Sequence, residues 1–307
     1  MNIRFEPDLL ADGLPFRKIV NVGPVGGGEA YLLIGDDTTI LFDAGFGCGG
    51  DLLVRNIEEC LQGRELNDIF LSHSHYDHAP GSAWCTARWP SCRVVAGRKT
   101  RSVFARPGAI ATMRRLDAEA SKMFGMKAEK DRFGELRVDM APTDGETFRS
   151  GSLEVVLMEL PGHTNCSVGY WFPSCGLLLA GESTGVAVPG TDAVISALLT
   201  GFEAGMSSIR RCMQLPLRHM LIPHCGLLHG DACMTFLENG LRGNERLRER
   251  LIGAWRQGKD REQLRQILKD MFYRGRAVEI QPEAAFDENS GYIVDTVIRE
   301  FTEASSG

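Results

Sequence analysis

No stretch of the 307-residue sequence approaches the roughly 18 uninterrupted apolar residues that a membrane-spanning helix needs, although 43% of the residues are hydrophobic. The first residues, MNIRFEPDLLADG, carry acids where a secretory signal would carry an apolar core, so a cytoplasmic protein that does not enter the membrane is the expectation. Nine cysteines, an odd count with no CxxC pair, suit neither a disulfide framework nor a cysteine zinc knuckle; they read as buried small hydrophobes in a reducing compartment. Positive charge is also short. With 34 basic against 40 acidic side chains the net charge is −6, so the general positive field that nucleic-acid binding relies on is missing and nucleic acid is not an expected partner. The basic run at 242–250 reads as a solvated helix face. Histidine is scarce as well, at seven residues, which makes any clustering of it informative.

The length allows one large core, or a core with a smaller appendage. Residues 30–34 and 39–42 read as strands joined through Gly35-Asp36-Asp37. Asp51 then stands where it could cap a helix in which Leu53, Ile57, Cys60 and Leu61 recur at helical spacing. Residues 69–71 and 94–96 are short apolar strands, and 109–124 reads as an amphipathic helix. Three further strands, 153–160, 167–172 and 177–180, are separated by PGHTNC and FPSCG turns. A helix is expected at 201–214 and a strand at 220–222. From about residue 230 the pattern is helical: Phe236, Leu237, Leu241, Leu247, Leu251 and Trp255 form one stripe, Leu264, Ile267, Leu268 and Met271 a second, and Ile293, Val294, Val297, Ile298 and Phe301 a third. The fold class this implies is a layered α/β/α body at 1–230 and a helical C-terminal extension at 231–307.

Three of the seven histidines fall in Ser72-His73-Ser74-His75-Tyr76-Asp77-His78, directly after an apolar strand. In extended backbone, residues two apart point to the same side, so His73, His75 and Asp77 can converge before a turn brings His78 beside them. Such a concentration of imidazole and carboxylate is what a metal site requires. His163 sits in a Pro-Gly turn after another strand, Glu182 follows the apolar LLLAG, and His224 follows Leu221-Ile222-Pro223. Strand ends thus deliver each of them in the same manner, which argues for one shared site. His219 and His229 lie outside these motifs and read as structural or surface residues. Tyr76, between two candidate ligands, can either reach a substrate or pack.

The order HxHxDH, PGHT, an apolar strand ending in Gly-acid, and a strand ending in Pro-His resembles the metallo-β-lactamase superfamily over about residues 20–230, with Asp43 in Phe42-Asp43-Ala44-Gly45 resembling its early Asp-Thr-Gly motif. Within it the sequence is similar to glyoxalase-II-like thioesterases and, through Pro223-His224-Cys225-Gly226-Leu227-Leu228 and the following helices, to quinolone-signal response proteins. The resemblance implies a four-layer αββα sandwich, with His73, His75 and His163 on one divalent ion and Asp77, His78 and His224 on a second. Glu182 stands where the family usually has a bridging aspartate, one methylene shorter, and Asp43 is implied as a residue that orients ligands. Zinc suits this mixed nitrogen and oxygen donor set, and iron or manganese are accepted by it too.

Two ions sharing a water lower its pKa toward neutrality, and the resulting hydroxide is the expected nucleophile, with Asp77 holding it in line. A small-molecule thioester is the favoured substrate, a phosphodiester or lactone next. The alternative is a regulatory protein that keeps the metal site with little turnover and acts through partner contacts of its C-terminal helices. Those helices are expected to cover the site; packing on the sandwich or forming a homodimer is the competing use of their apolar stripes.

Overall fold

The computed structural model describes residues 12–188, 191–275 and 283–303, so parts of the expected C-terminal extension, 276–282 and 304–307, lie outside the described residues. Five strands, β1 (Phe16–Asn21), β2 (Tyr31–Gly35), β3 (Thr39–Phe42), β4 (Asp68–Phe70) and β5 (Arg93–Val95), form the first sheet in that order. The second sheet takes β6 (Thr147–Ser150), β7 (Leu153–Glu159), β8 (Val168–Phe172), β9 (Leu177–Leu179), β12 (His219–Ile222) and β13 (Gly226–His229), in the order β13-β12-β9-β8-β7-β6. A separate two-stranded ribbon pairs β10 (Val186–Ala187) with β11 (Val194–Ile195). In both sheets an antiparallel meander is followed by a crossover to a parallel neighbour: β3 to β4 in the first, β9 to β12 in the second.

The alternation of side chains along the strands decides the layers. Ile40 and Phe42 of β3, Phe70 of β4, Tyr170 and Phe172 of β8, and Leu177 and Leu179 of β9 point into the space between the sheets and share one apolar core. Leu41 and Ile69, one residue out of phase, face the other way and pack with Leu53, Ile57 and Leu61 of α1 (Gly50–Leu61). On the far side Leu178, Met220 and Ile222 meet Ile209 and Cys212 of α5 (Phe202–Met213) and Phe236 and Leu237 of α6 (Asp231–Arg256). Helix, sheet, sheet, helix is therefore the layer order, as the resemblance implied. Nine cysteines are free, eight of them buried, consistent with their reading as small hydrophobes.

Helix α4 (Pro107–Phe124), the helix expected at 109–124, packs through Met113 beside Trp84 of α2 (Ser82–Arg88) and through Ala120 beside Phe46. A short α3 (Arg98–Phe104) precedes it. At the C-terminus the far half of α6, with Leu247 and Leu251, joins α7 (Arg261–Phe272) and α8 (Glu283–Ile298) in a cluster that also takes in Leu198, Phe202 and Met206.

Three local expectations are corrected. Asp51 does not cap α1: the N-cap is Gly49, without a side-chain bond, and the Asp51 carboxylate accepts instead from the backbone N–H of Glu129 at 2.7 Å. Trp255 does not continue the apolar stripe of α6; it is 42% exposed, near the helix end, where the stripe has run past its neighbours. Residues 226–229, read only as part of a motif, form a strand antiparallel to β12.

Candidate metal centre

All the singled-out side chains emerge at one edge of the sandwich, from segments that follow strand ends. The chain leaves β4 at Phe70, and the Tyr170 hydroxyl, reaching across from the second sheet, shares its proton between the carbonyls of Leu71 and Val95 at 2.8 Å each. This fixes the strand end from which Ser72–His78 departs. Glu182 begins a single 3-10 turn two residues past Ala180, and His224 follows β12 in a left-handed conformation, φ 60°. For a residue with a side chain that conformation is unfavourable, so the surrounding contacts must hold it.

Two groups of donors result. His73, His75, His163 and Glu182 offer atoms that all lie within 4.8 Å of one another, and so do Asp77, His78 and His224. Glu182 stands between the groups: its Oε2 is 2.9 Å from His163 Nε2, 3.4 Å from His73 Nε2 and 3.3 Å from His78 Nε2, while Oε1 is 3.6 Å from His224 Nε2. The structure thus brings together all seven residues named as candidate ligands, His73, His75, His163 and Glu182 in one group and Asp77, His78 and His224 in the other.

The hydrogen bonds behind the rings decide what the rings present to the centre. His163 Nδ1 lies 2.8 Å from the Ala197 carbonyl, which can only accept, so that nitrogen carries the proton. His78 Nδ1 donates to Asp43 Oδ2 at 2.9 Å and His224 Nδ1 to Glu29 Oε2 at 2.7 Å. Ser72 Oγ donates to Asp43 Oδ2 and therefore accepts from His73 Nδ1. In its neutral form each of these four rings turns a bare nitrogen lone pair inward. There, His78 and His224 face each other Nε2 to Nε2 at 3.2 Å, and His163 Nε2 faces His75 Nδ1 at 3.1 Å. Lone pairs held at such distances repel unless a proton or a cation lies between them. His73 Nε2 and Asp77 Oδ1 are moreover buried without any hydrogen-bond partner, a costly condition in a protein interior. Cations satisfy all of these atoms at once; the donor set fits divalent metal ions.

The electrostatics distinguish the two groups, since the charges of Asp77 and Asp43 outweigh burial and raise His78 well above the ordinary imidazole value. Burial, aided by the neighbouring rings, pushes His73 well down, and burial with His163 lowers His75 to about 3, so both stay neutral. Burial would lower His224 too, but its bond to Glu29 and the charge of Glu182 outweigh it and raise the ring to about 9. Glu182, despite a burial effect in the opposite direction, is held well below the usual carboxylate range by His163 and His78. Asp77 is pushed up, chiefly by burial.

Asp43 ligates neither group. Buried at φ 56°, it accepts from the N–H and hydroxyl of Ser72 at 2.8 Å each and from His78 at 2.9 Å. Two features were not anticipated. Glu29, in the glycine-rich loop between β1 and β2, backs His224; an acid in Gly26-Gly27-Gly28-Glu29 was the available signal. The stretch Gly181–Gly185 also has the GxSxG spacing of a nucleophile elbow. Ser183, however, is fully buried, donates to the Leu160 carbonyl at 2.6 Å and accepts from the His163 N–H at 3.0 Å, so it supports a candidate ligand rather than acting as a nucleophile. His219 and His229 oppose each other across β12 and β13, away from both groups. Tyr76 packs on Phe46, ring centroids 5.6 Å apart, and Phe46 on Phe124 of α4 at 5.5 Å, forming an aromatic wall next to the ligands.

A two-sheet sandwich with a histidine and carboxylate centre at one edge defines a metallo-β-lactamase-like fold. Residues 23–217, more than half of the chain, match the family model for the metallo-beta-lactamase superfamily, and the chain belongs to that superfamily. Among curated proteins it is similar to hydroxyacylglutathione hydrolases, 26% identical over 39% of this chain and 36% of the Synechococcus sp. protein, and 28% identical over 40% of this chain and 35% of the Jannaschia sp. protein. The matched part thus spans about a third of the length of those relatives. Solved structures share the fold: a metallo-beta-lactamase family protein from Thermus thermophilus (TM-score 0.59, 20% identity, covering 98% of this chain and 94% of that one), and an archaeal superfamily protein from Sulfolobus tokodaii (TM-score 0.56, 18% identity, covering 73% and 84%). Among the described residues no helix is long and apolar enough to cross a membrane.

Proposed function

We propose that the protein is a binuclear metal-dependent hydrolase of small thioesters. The observation that carries this reading is the pair of donor groups sharing Glu182, with ring nitrogens turned toward one another and His73 Nε2 and Asp77 Oδ1 buried without a partner. In this assignment His73, His75 and His163 hold one ion, Asp77, His78 and His224 the other, and Glu182 serves both. Divalent ions bound there, zinc or alternatively iron or manganese, supply Lewis acidity and a hydroxide at neutral pH.

The chain's own residues do the rest. Asp43, Ser72, Ala197 and Glu29 hold the ring protons on the outward nitrogens, so each neutral ring turns its lone pair toward the ion it would bind. In this reading Asp77, whose buried Oδ1 has no hydrogen-bond partner, would accept a hydrogen bond from the attacking nucleophile and hold it in line. The wall of Tyr76, Phe46 and Phe124 offers an apolar surface to an acyl chain and keeps water from that side. The preference for thioesters rests on the partial similarity to hydroxyacylglutathione hydrolases, whose named substrate is a thioester.

The C-terminal helices belong to this proposal as a roof that limits substrate size. Thr296 of α8 donates to the Leu199 carbonyl at 2.7 Å, and the Glu300 carboxylate accepts from the N–H groups of Phe202 and Glu203 at 3.0 Å. Both contacts hold the end of α8 against the segment whose Ala197 carbonyl bonds His163, which supports a roof on that side of the centre. The test is thiol release from acyl thioesters, compared with lactone opening and bis-phosphodiester cleavage, before and after chelation and metal restoration. Thioester turnover that chelation abolishes and metal restores is expected; protein holding two ions that cleaves none of the three classes overturns the hydrolase reading.

A further inference from the structure

The two donor groups are backed differently. His163 leans on a backbone carbonyl and His73 on a hydroxyl, both neutral acceptors, whereas His78 leans on Asp43 and His224 on Glu29, both carboxylates. A carboxylate behind a ligating imidazole fixes its orientation and makes it a stronger donor to a cation. The Asp77-His78-His224 group therefore has one carboxylate among its ligands and two more behind its rings, while the other group has only its share of Glu182.

Glu29 reaches this position through a loop built for close approach. A Cβ on Gly28 would lie 2.4 Å from the Phe46 ring, and one on Gly45 would lie 2.6 Å from the Gly28 carbonyl, so the two loops can stack only as glycines. Asn21 Oδ1 closes the loop by accepting from Gly23 N–H at 3.0 Å and Ala30 N–H at 3.3 Å. Glu29 is tethered at both oxygens, Oε1 to the Gly27 N–H at 3.0 Å and Oε2 to His224 at 2.7 Å. His224 itself is in the left-handed region, where a non-glycine residue stays only if its surroundings hold it.

From this geometry we infer that Glu29 is a positioning residue for the second metal: it locks the rotamer and tautomer of His224, sets the affinity of the Asp77-His78-His224 group, and makes the two ions bind unequally. The inference rests on the binuclear reading above, and asks which residue outside the ligands distinguishes its halves. Without the Glu29 carboxylate, His224 Nδ1–H loses its charged acceptor and the ring is free to turn or to move its proton to the inward nitrogen. The Asp43-backed His78, and His73 and His163 of the other group, keep their own supports.

The experiment titrates the metal-free full chain with zinc against a chromophoric chelator, and repeats the titration with cobalt to read the ligand-field spectrum. Wild-type protein should take two ions. Glu29→Gln, close in shape, should keep one affinity unchanged and weaken the other by about 10- to 100-fold, with loss of the corresponding cobalt bands. Glu29→Asp should recover part of that loss. Equal affinities in wild type and Glu29→Gln, or a matched weakening of both ions together with a lowered urea midpoint of the metal-free protein, overturn the inference while leaving two-ion binding intact. A wild-type chain that takes up only one ion overturns the binuclear reading itself.

Discussion

Replacing Asp43 by Asn changes almost no volume yet reverses the polarity of a hub. The carboxylate accepts from Ser72 N–H, from Ser72 Oγ and from His78 Nδ1. An asparagine whose carbonyl takes the Ser72 N–H must turn its NH2 toward His78, which then accepts at Nδ1 and moves its own proton to Nε2. The inward lone pair becomes an N–H pointing at the place where an ion would sit. Backbone strain does not confuse the result, because Asn tolerates the left-handed conformation that Asp43 occupies at φ 56°. The loss of one charge-assisted hydrogen bond should lower the stability of the metal-free protein by about 1.5–3 kcal/mol. The ion of the Asp77-His78-His224 group should bind about 10- to 100-fold more weakly, which is about 1.4–2.8 kcal/mol. Urea denaturation of the metal-free protein gives the first quantity and chelator competition the second. If Asp43→Asn binds both ions as tightly as wild type, the tautomer argument is wrong, however much stability is lost.

Glu182→Asp should retain two ions with reduced activity, whereas Glu182→Ala should lose at least one by elemental analysis; an alanine variant with both affinities intact removes Glu182 from the ligand set. His73→Ala and Asp77→Ala should each leave one ion per chain, and their cobalt spectra should differ because different groups remain. Asp117, on the buried face of α4 and accepting from the Cys48 N–H at 3.0 Å, is raised above the ordinary aspartate value by burial. The folded chain therefore holds that proton more tightly than the unfolded one. The stability this carboxyl contributes is fully present below the unfolded pKa of about 3.9 and is lost as pH rises through the elevated one. Asp117→Asn should therefore gain on wild type in urea midpoint as pH rises above about 4; a variant that loses ground as pH rises from there contradicts the sign. Glu300→Gln weakens the clamp of α8 on the start of α5 and should cost about 0.5–1.5 kcal/mol. If the helices form a roof, this substitution should change KM for long acyl thioesters more than for short ones; an equal effect on both removes the roof.

Period-two alternation revealed the buried strands because each inner residue meets the opposite sheet and each outer one a helix, as with Phe42 and Leu41. The candidate ligands were legible because each follows a strand end, where position along the chain translates into position in space. Glu29 was not, since its partner His224 lies 195 residues away and nothing local to the loop announces the contact. Asp51 misled for a related reason: a capping residue type was present, but the backbone of Glu129 took its carboxylate. Local preference lost to a tertiary donor.

The hidden part has a regularity of its own. In the first sheet, Asp43 leaves β3 with its N–H on the Phe70 carbonyl of the parallel neighbour β4, which then delivers His73. In the second, Ala180 leaves β9 with its N–H on the Leu221 carbonyl of the parallel neighbour β12, which then delivers His224, and Glu182 follows two residues later. Each half thus uses a parallel strand pair, joined by a crossover, to release an acid from one strand and a histidine from the next. The acids differ in type and depth: Asp43 stays behind the rings, while Glu182, longer and carried forward by a 3-10 turn, reaches between the two groups. The added methylene and the turn act in the same direction. That is the physical reason Glu182 reaches the two groups while Asp43 stays behind them, and why the likeness of the two halves is visible in the strand order but not in the residues.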